Sequence, residues 1–405
     1  MPQQQTQEAV PRTGSVPEAL ATLVGRYDPD VIDVPGGSAV IRIGVGGGFA
    51  WNAVIHDGEA SLRPADGTQE DAILNADPET WRHIAVDLGA GMDAFKSGRL
   101  RVRRNLHLGI GFLAATSGRT EPGRLEFDSA ETSVGRLSTV SAGEGEPVIC
   151  LHGLGATLSS FMTTIAALSG ERRVIAFDFP GFGDSTKPLD VTYDAPYFAR
   201  TVAALMDELD LDSAHLIGNS MGGRVAIEAG LLYPERVDSL TLYTPALAWL
   251  RDRRWRWLFT SSLPRLGLIQ PTPRMITEPL VRTVVPGGKD GWAAAGVDEF
   301  LRAFLKPRGR VAFYHALRNI YLDEPHGEEG LWTRLAGLQP PALFVWGRED
   351  QLVPIGFRKH VERVLDSAQH LELNCGHVPQ LELPDETHEA TVRFLDSVQS
   401  RFRLP

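Results

Sequence analysis

The sequence has little cysteine, no long apolar run and no excess of basic charge, and each shortage argues against a class of protein. Only two of the 405 residues are cysteines, too few for a disulfide framework, which favours a reducing compartment. Nowhere do about 18 apolar residues follow one another, so no transmembrane segment is predicted. The formal net charge of −11 repels phosphate backbones, so we predict no nucleic-acid partner.

The beginning of the chain also lacks the pattern of an export signal. MPQQQTQEAVPRTGSVPEAL has no cationic segment followed by an apolar run, so no signal peptide is predicted. We expect residues 1–15 to form a disordered tail and the protein to be cytoplasmic. The chain has 43% hydrophobic residues, which is enough to form buried cores. Its 405 residues are enough for two globular domains.

The first half contains short runs in which apolar and polar residues alternate. SAVIRIGV, FAWNAVIHD and EASLRPA are separated by turns that contain glycine, which predicts an antiparallel sheet with one buried face. A helix is predicted to follow, with Asp77 as its N-cap and Pro78 at its first position. We therefore predict a smaller α+β domain over residues 16–117 and a polar linker over 118–124.

The second half alternates strands with helices. A leading hairpin, LEFDSAETSVGRLSTVSAG, is followed by EPVICLHG, RRVIAFDFPGFG, AHLIGNSMGG, SLTLYTPA and PALFVWGRED. Short apolar runs separated by helical stretches predict an α/β fold, in which helices cover both faces of a mostly parallel sheet. Helical sequence at 245–338 interrupts this pattern. We predict a core formed by residues 125–244 and 339–405, with a helical cap inserted at 245–338.

A serine lies at the junction of a predicted strand and a predicted helix. GNSMGG follows the apolar run AHLI and precedes RVAIEAGLLY, the context of a nucleophile elbow. A serine needs a base and an orienting acid to become nucleophilic, and in this topology the acid and then the base follow later strands. Asp350 ends ALFVWGRED and His377 ends LELNCGH. We predict a triad of Ser220, Asp350 and His377, with Glu349 as the alternative acid.

The chemistry of such a serine also requires donors for a developing oxyanion. HGLG follows the strand PVICL, so the backbone N–H groups of Leu154 and Met221 are predicted to form an oxyanion hole. We expect Gly153, Phe161 and Trp249 to contact the substrate.

Several other residues have both a structural and a functional interpretation. His152 precedes the oxyanion turn, which favours a structural hydrogen bond over catalysis, and Asp178 and Asp184 flank the PGFG turn that they are expected to stabilise. Cys375 lacks an elbow and is expected to be a buried thiol. RDRRWRW at 251–257 is either a surface for anionic lipid or an acyl-CoA phosphate, allowing transient membrane contact, or a solvated helix face. No histidine has metal-ligand spacing, and we predict neither a metal nor a cofactor.

Residues from about 125 to 405 resemble the α/β-hydrolase superfamily. HGLG, DFPGFGDS, GNSMGG, GREDQLVP and GHVPQLELPDE follow one another in family order. The resemblance implies that Ser220 is the nucleophile, His377 the general base and acid, and Asp350 the orienting carboxylate, beneath a cap that shapes the pocket. It implies a hydrolase of a small apolar, lipid-like ester or thioester. Carbon–carbon bond hydrolases of ring-fission products also carry GNSMGG, usually with a longer glycine-rich loop than HGLGATLSS, and are the alternative.

The first half, from about 16 to 117, resembles the lipid-binding domain of sterol carrier protein type 2. ILNADPETWRHIAVDL and AFKSGRLRVRRNLHL carry this resemblance, which departs at Arg103-Arg104, where the family more often has a Gly-Asp turn. It implies an apolar tunnel, which we expect Phe95, Leu100 and Val102 to line. A lipid-binding protein with a catalytically silent hydrolase scaffold is the second alternative, and the oligomeric state stays open.

Overall fold

A computed structural model describes residues 16–87, 90–118, 124–247, 264–270, 273–275, 277–279 and 291–402. The predicted tail at 1–15, Trp249 and the basic segment 251–257 lie outside these ranges. Among the residues it describes, no helix is both long and apolar enough to cross a membrane.

The first half builds a five-stranded sheet. Its strands are β2 (Ser38–Gly44), β3 (Ala50–His56), β4 (Glu59–Pro64), β5 (Ala72–Asn75) and β6 (Arg101–Arg103), and they follow a short strand β1 (Ile32–Asp33) that belongs to the second sheet. Strands β2 to β6 lie in the order β4-β3-β2-β5-β6. The predicted antiparallel pairing of β2 with β3 and of β3 with β4 is confirmed, and β5 adds to β2 in parallel.

Within the described part of the first half, four helices accompany this sheet. They are α1 (Val16–Val24), α2 (Pro78–Val86), α3 (Ala90–Lys96) and α4 (Leu106–Ala115). The predicted start of α2 is confirmed, because the Asp77 carboxylate accepts hydrogen bonds from the N–H groups of Glu79 and Thr80, both at 2.9 Å. Such a cap satisfies N–H groups that have no partner within the helix.

Strand β6 is short because the chain turns immediately after it. Arg104 has a positive φ of 72°, and Asn105 accepts a hydrogen bond from the Leu108 N–H, which begins α4. Arg104 donates to the carbonyl oxygen of Glu70 at 2.9 Å, and Arg103 lies 3.4 Å from the carboxylate of Asp298. These two arginines are therefore paired within the chain.

The second half builds a nine-stranded sheet in the order β1-β7-β8-β10-β9-β11-β12-β13-β14. Its own strands are β7 (Leu125–Thr132), β8 (Gly135–Ala142), β9 (Glu146–Leu151), β10 (Arg172–Phe177), β11 (Ala214–Asn219), β12 (Val237–Tyr243), β13 (Ala342–Gly347) and β14 (Gln369–Leu373). The predicted hairpin of β7 and β8 is confirmed. Strand β8 is antiparallel to both of its neighbours, and every other pair in this sheet is parallel.

Helices separate most of these strands. They are α5 (Met162–Leu168), α6 (Ala195–Glu208), α7 (Met221–Leu232), α8 (Gly291–Phe304), α9 (Pro307–Tyr321), α10 (Leu331–Leu335), α11 (Arg358–Val364), α12 (Pro379–Glu382) and α13 (Pro384–Phe402). Helices α8, α9 and α10 lie between β12 and β13, in the segment predicted to be helical. A 3₁₀ helix at Pro264–Leu268 precedes them and packs against α9.

The two halves of the chain pack against each other. Strand β1 belongs to the first half of the chain but pairs in parallel with β7 of the second sheet, with Ile32 opposite Leu125. Apolar side chains from both halves, among them Phe112 and Phe127, belong to one buried cluster. Helix α8 also packs on α3 and β6. The short linker is consistent with this close packing.

Candidate active site

Ser220 sits on a tight turn between β11 and α7. Its backbone has φ 54° and ψ −112°, a conformation that costs a non-glycine residue free energy and requires support from its surroundings. A Cβ atom on Gly222 would overlap the carbonyl oxygen of Leu151, and one on Gly218 would overlap the carbonyl oxygen of Gly222. Glycine at these two positions therefore permits the turn, which holds the serine between the sheet and the N terminus of α7.

His377 and Asp350 meet beyond the ends of β13 and β14. His377 Nδ1 lies 2.7 Å from Asp350 Oδ2, while Asp350 Oδ1 accepts hydrogen bonds from the N–H groups of Leu352 and Val353 at 2.7 and 3.0 Å. Backbone N–H groups thus fix one oxygen of the carboxylate, and the other accepts a hydrogen bond from the Nδ1–H group of His377. With the ring proton on Nδ1, His377 Nε2 keeps a lone pair that can accept a proton. The acid beside His377 is Asp350 rather than Glu349.

Asn219, immediately before the serine, ties the elbow to the histidine loop. Its Nδ2 donates to the backbone oxygen of His377 at 3.0 Å and to that of Tyr243 at 3.1 Å. Thr244 Oγ1 donates to the same His377 oxygen at 2.8 Å. The elbow and the loop that carries His377 are therefore held together by short contacts. Sequence reasoning missed Asn219, although it lies inside the GNSMGG motif.

The hydroxyl of Ser220 is hydrogen-bonded to a residue that no sequence motif indicated. Ser220 Oγ lies 3.1 Å from Tyr321 Oη at the end of α9, and the backbone N–H of Met221 lies close to this Oη. Burial raises the pKa of Tyr321 to about 12, against the opposing effects of Ser220 and Met221. Near neutral pH the phenol therefore keeps its proton.

The predicted oxyanion turn follows β9 and lies against the elbow. A Cβ atom on Gly153 would come within 3.4 Å of Ser220 Cβ, so this turn lies next to the serine. Leu154 is half-buried. A Cβ atom on Gly222, in the first turn of α7, would overlap the backbone oxygens of Leu151 and His152. The turn that carries Leu154 therefore lies close to the start of the helix that begins at Met221.

His152 supports the oxyanion turn. Its Nε2 accepts a hydrogen bond from the Phe179 N–H at 3.0 Å, and its Nδ1 lies 2.8 Å from the carbonyl oxygen of Gly153. Burial lowers the pKa of His152, which favours the neutral ring with its proton on Nδ1. Both ring nitrogens are thus used in structural hydrogen bonds, as the structural interpretation of this residue predicts.

Asp178 links two turns near the site. Its Oδ1 accepts from the Leu158 N–H and its Oδ2 from the Asp184 N–H, both at 2.8 Å. This matches the expected turn-stabilising role. Cys375 is buried, and burial raises the pKa of its thiol to about 12, so it carries little thiolate near neutral pH.

Of the predicted substrate contacts, Gly153 lies next to Ser220. Phe161 is fully buried in the hydrophobic cluster that it shares with Leu158 and Ile165, so its contact with substrate stays a prediction. Trp249 lies outside the described residues. Among those residues, no group of three or more histidine, cysteine, aspartate or glutamate side chains is arranged to hold a metal ion.

The residues predicted to line a lipid tunnel are each at most 2% exposed. They are among the residues that border a cleft between the two halves, which the charged residues Arg101 and Arg103 also line. Phe95, Leu100 and Val102 border a space of about 350 Å³. Ala294 and Asp298 of α8 border it from the other side. A helix of the second half therefore forms part of its wall.

The match to a known family covers most of the second half. Residues 146–384 match the family model described as alpha/beta hydrolase fold, more than half of the chain, and the chain belongs to this family. The family match does not extend to the first half, whose resemblance to a sterol carrier domain stays a prediction.

Individual relatives differ in the reactions that their names describe. The chain is 32% identical over 272 residues to a 2-hydroxy-6-oxononadienedioate/2-hydroxy-6-oxononatrienedioate hydrolase of Comamonas testosteroni, a match covering 64% of this chain and 91% of the relative. It is 30% identical over 253 residues to the dihydrolipoyllysine-residue acetyltransferase component of the acetoin cleaving system of Pseudomonas putida, a match covering 62% of this chain and 64% of the relative. The chain thus spans less than two thirds of that relative's length.

A solved structure of a membrane phospholipase A, described as a bacterial virulence factor, superposes with a TM-score of 0.56 and 27% identity. The superposition covers 68% of this chain and 87% of that chain.

Proposed function

We propose that this protein is a serine hydrolase that cleaves a small apolar ester or thioester through an acyl-enzyme. The observation that carries the proposal is the strained Ser220 at the start of α7, tied through Asn219 to the loop of His377, which in turn contacts Asp350. A strained serine beside a histidine–carboxylate pair is the arrangement that nucleophilic catalysis requires.

The reaction proceeds in two halves. Ser220 Oγ attacks the carbonyl carbon while its proton passes to His377 Nε2, and the N–H groups of Leu154 and Met221 stabilise the oxyanion. His377 then returns the proton to the departing alkoxide or thiolate, which leaves the acyl group on Ser220. Water, deprotonated by His377, attacks the acyl carbon, and the proton returns to Ser220 as the carboxylic acid is released.

An apolar substrate is supported by the side chains above the oxyanion turn. Phe300 of α8 lies against Gly155, the residue after Leu154. The ring of Phe300 packs on that of Phe313 at 5.3 Å between centroids and on that of Phe304 at 4.9 Å. Such an aromatic wall favours an acyl chain over a charged group.

The first half is proposed to bind or present the lipid substrate. The position of the cleft beside Phe95, Leu100 and Val102 supports this role, since a helix from the hydrolase half forms part of its wall, which also carries charged side chains such as Arg103 and Asp298. This part of the proposal is independent of the chemistry at Ser220.

A carbon–carbon bond hydrolase is the second candidate, favoured by the identity of 32% with the Comamonas testosteroni enzyme. Parallel assays of a p-nitrophenyl ester and a 2-hydroxy-6-oxodienoate distinguish the two. The ester hydrolase proposal predicts the higher kcat/KM for the ester.

Substitution of the serine tests the proposal. Ser220→Ala should abolish ester hydrolysis while leaving the circular dichroism spectrum unchanged, because only the nucleophilic hydroxyl is removed. Ser129→Ala, at an exposed position of β7, is the matched control and should retain full activity. Full activity of purified Ser220→Ala would contradict the proposal, and an inert wild-type protein would favour a silent scaffold that binds lipid.

A further inference from the structure

The hydroxyl of Tyr321 lies between the proposed nucleophile and a proposed oxyanion donor. Its Oη is 3.1 Å from Ser220 Oγ and lies close to the N–H of Met221. Tyr321 is only 5% exposed, so the contact between the two hydroxyl groups is shielded from bulk solvent. The phenol is therefore next to the atom that would attack a substrate carbonyl.

We infer that Tyr321 is a further catalytic residue, whose phenolic hydroxyl donates a third hydrogen bond to the oxyanion formed at Ser220. The inference rests on the proposed function, because it requires a carbonyl group to be attacked at this serine. When a substrate carbonyl binds beside Ser220, the phenol stays in place and turns its proton from Ser220 Oγ toward the carbonyl oxygen.

The hydrogen-bonding capacity of a phenol fits both states. A phenol accepts and donates hydrogen bonds, so Oη can bond with the Ser220 hydroxyl before the attack and donate to the oxyanion during the reaction. It keeps its proton throughout, since the proton that Ser220 loses passes to His377 and then to the leaving group. Burial, which disfavours the phenolate, keeps this donor protonated over the working pH range.

An ion pair fixes Tyr321 relative to the elbow. Asp323, two residues after the tyrosine, lies 3.0 Å from Nη2 of Arg224 in α7. Arg224 is buried and also binds Glu228 at 2.6 Å, and Glu228 binds Arg334 of α10 at the same distance. The chain that follows α9 is thereby attached to the helix that begins at Met221. Asp323 is thus a positioning residue for the Tyr321 hydroxyl.

Removing the phenolic oxygen from the full-length protein tests the inference. Loss of one oxyanion donor commonly lowers turnover by about 10²–10³, so Tyr321→Phe should slow acylation by p-nitrophenyl butyrate about 10²-fold with KM little changed. It should also weaken inhibition by a trifluoromethyl ketone, whose hemiketal with Ser220 carries an oxyanion, by a comparable factor. Tyr314→Phe is the control on the same helix, because its hydroxyl binds Gln270, and it should leave both constants unchanged.

The outcomes separate this inference from the proposed function. Unchanged acylation in Tyr321→Phe would overturn it, and faster acylation would overturn it by indicating that the hydroxyl only obstructs the hole. In both cases the active wild-type protein leaves the proposed function intact. An inactive wild-type protein that also resists a fluorophosphonate would remove the proposed function and the inference with it. A melting temperature for Tyr321→Phe near that of the wild type verifies that the variant is folded.

The role of Asp323 is measured by combining two substitutions. Asp323→Ala should lower kcat in the wild-type background and have no further effect in the Tyr321→Phe background, because it acts through the hydroxyl that is already missing. If Asp323→Ala lowered kcat by the same factor in both backgrounds, its effect would not pass through the Tyr321 hydroxyl, and the positioning role would be overturned.

Discussion

The N–H of Leu106 donates a hydrogen bond to Glu299 Oε1 at 3.1 Å, and this contact joins the first turn of α4 to α8. Glu299 Oε2 accepts from Arg302 at 2.9 Å, and Arg302 in turn reaches the carboxylate of Asp184 at 2.6 Å. Glu299 is only 3% exposed. A buried polar network therefore links the first half, α8 and the turn after β10.

Loss of this carboxylate should destabilise the protein. Glu299→Ala is expected to lower the free energy of unfolding by about 3 kcal/mol, because the charge of Arg302 and the N–H of Leu106 lose a buried acceptor. Glu299→Gln should cost less, since an amide oxygen can still accept a hydrogen bond.

Urea unfolding measures both losses. Burial raises the pKa of Glu299 to about 7, against the opposing effect of Arg302, so ionising this group costs folding free energy as the pH rises from 4.5 to 7. The measurement therefore belongs near pH 5, where the folded protein keeps Glu299 protonated and this cost is small. Glu235→Ala, at an exposed position, is the control and should change stability by less than about 0.5 kcal/mol. Equal stability of Glu299→Ala and Glu235→Ala would contradict a stabilising network.

The features that depend on sequence neighbours could be predicted. The cap at Asp77, the hairpin of β7 and β8, and the serine between a strand and a helix each follow from a few adjacent residues. Their physical causes, such as a side chain that satisfies a helix N–H, act over one turn of chain.

Contacts between distant segments could not be predicted in the same way. Tyr321 is 101 residues from Ser220, and nothing around it distinguishes it from any aromatic residue at the end of a helix. The addition of β1 to β7 and the pairing of Arg103 with Asp298 depend on how the halves dock. A single sequence contains the residues for such contacts but not their relative positions.

A buried histidine should make the protein sensitive to acid. His388 packs beneath the sheet with Nε2 3.0 Å from Thr164 Oγ1, and burial lowers its pKa from 6.5 to about 4, against the opposing effect of Asp385. Between these values the unfolded chain binds a proton that the folded protein does not, so stability falls as the pH decreases from 6.5 towards 4. This group should contribute a loss of about 2 kcal/mol by a pH near 5.

Comparison of variants isolates this contribution. The stability of His388→Asn, measured by urea unfolding, should fall less on acidification than that of the wild type. The stability of His326→Asn, at an exposed position, should depend on pH as the wild-type stability does. If the stability of His388→Asn also showed the wild-type dependence on pH, a buried neutral histidine at 388 would be contradicted.

The two adjacent acids near His377 should differ sharply in their effect on catalysis. Asp350→Ala is expected to lower kcat on the order of 10³-fold, because the Nδ1 proton of His377 loses its acceptor and the imidazolium loses a compensating charge. Glu349→Ala should remain within a few-fold of the wild type in the same ester assay. A larger loss in Glu349→Ala would reverse the assignment of the orienting acid.

Filling the cleft between the halves should block lipid binding. Ala294 is half-buried at the wall of this cleft, so Ala294→Trp should occupy its volume without disturbing the core. With full-length Ser220→Ala protein as the background, saturable binding of a fluorescent fatty acid should be weakened by this substitution. Ala336→Trp, at an exposed position, should bind normally. If Ala294→Trp and Ala336→Trp bound the fatty acid equally well, the cleft would not be its binding site.

Trapping of the acyl-enzyme tests the proposed chemistry most directly. The full-length protein is mixed with a fluorophosphonate or a slowly hydrolysed ester, digested, and examined by mass spectrometry. The adduct should be found on the peptide that contains Ser220, with its rate of formation reduced in His377→Ala. An adduct on another residue, or none in a protein that hydrolyses the ester, would contradict a covalent mechanism at Ser220.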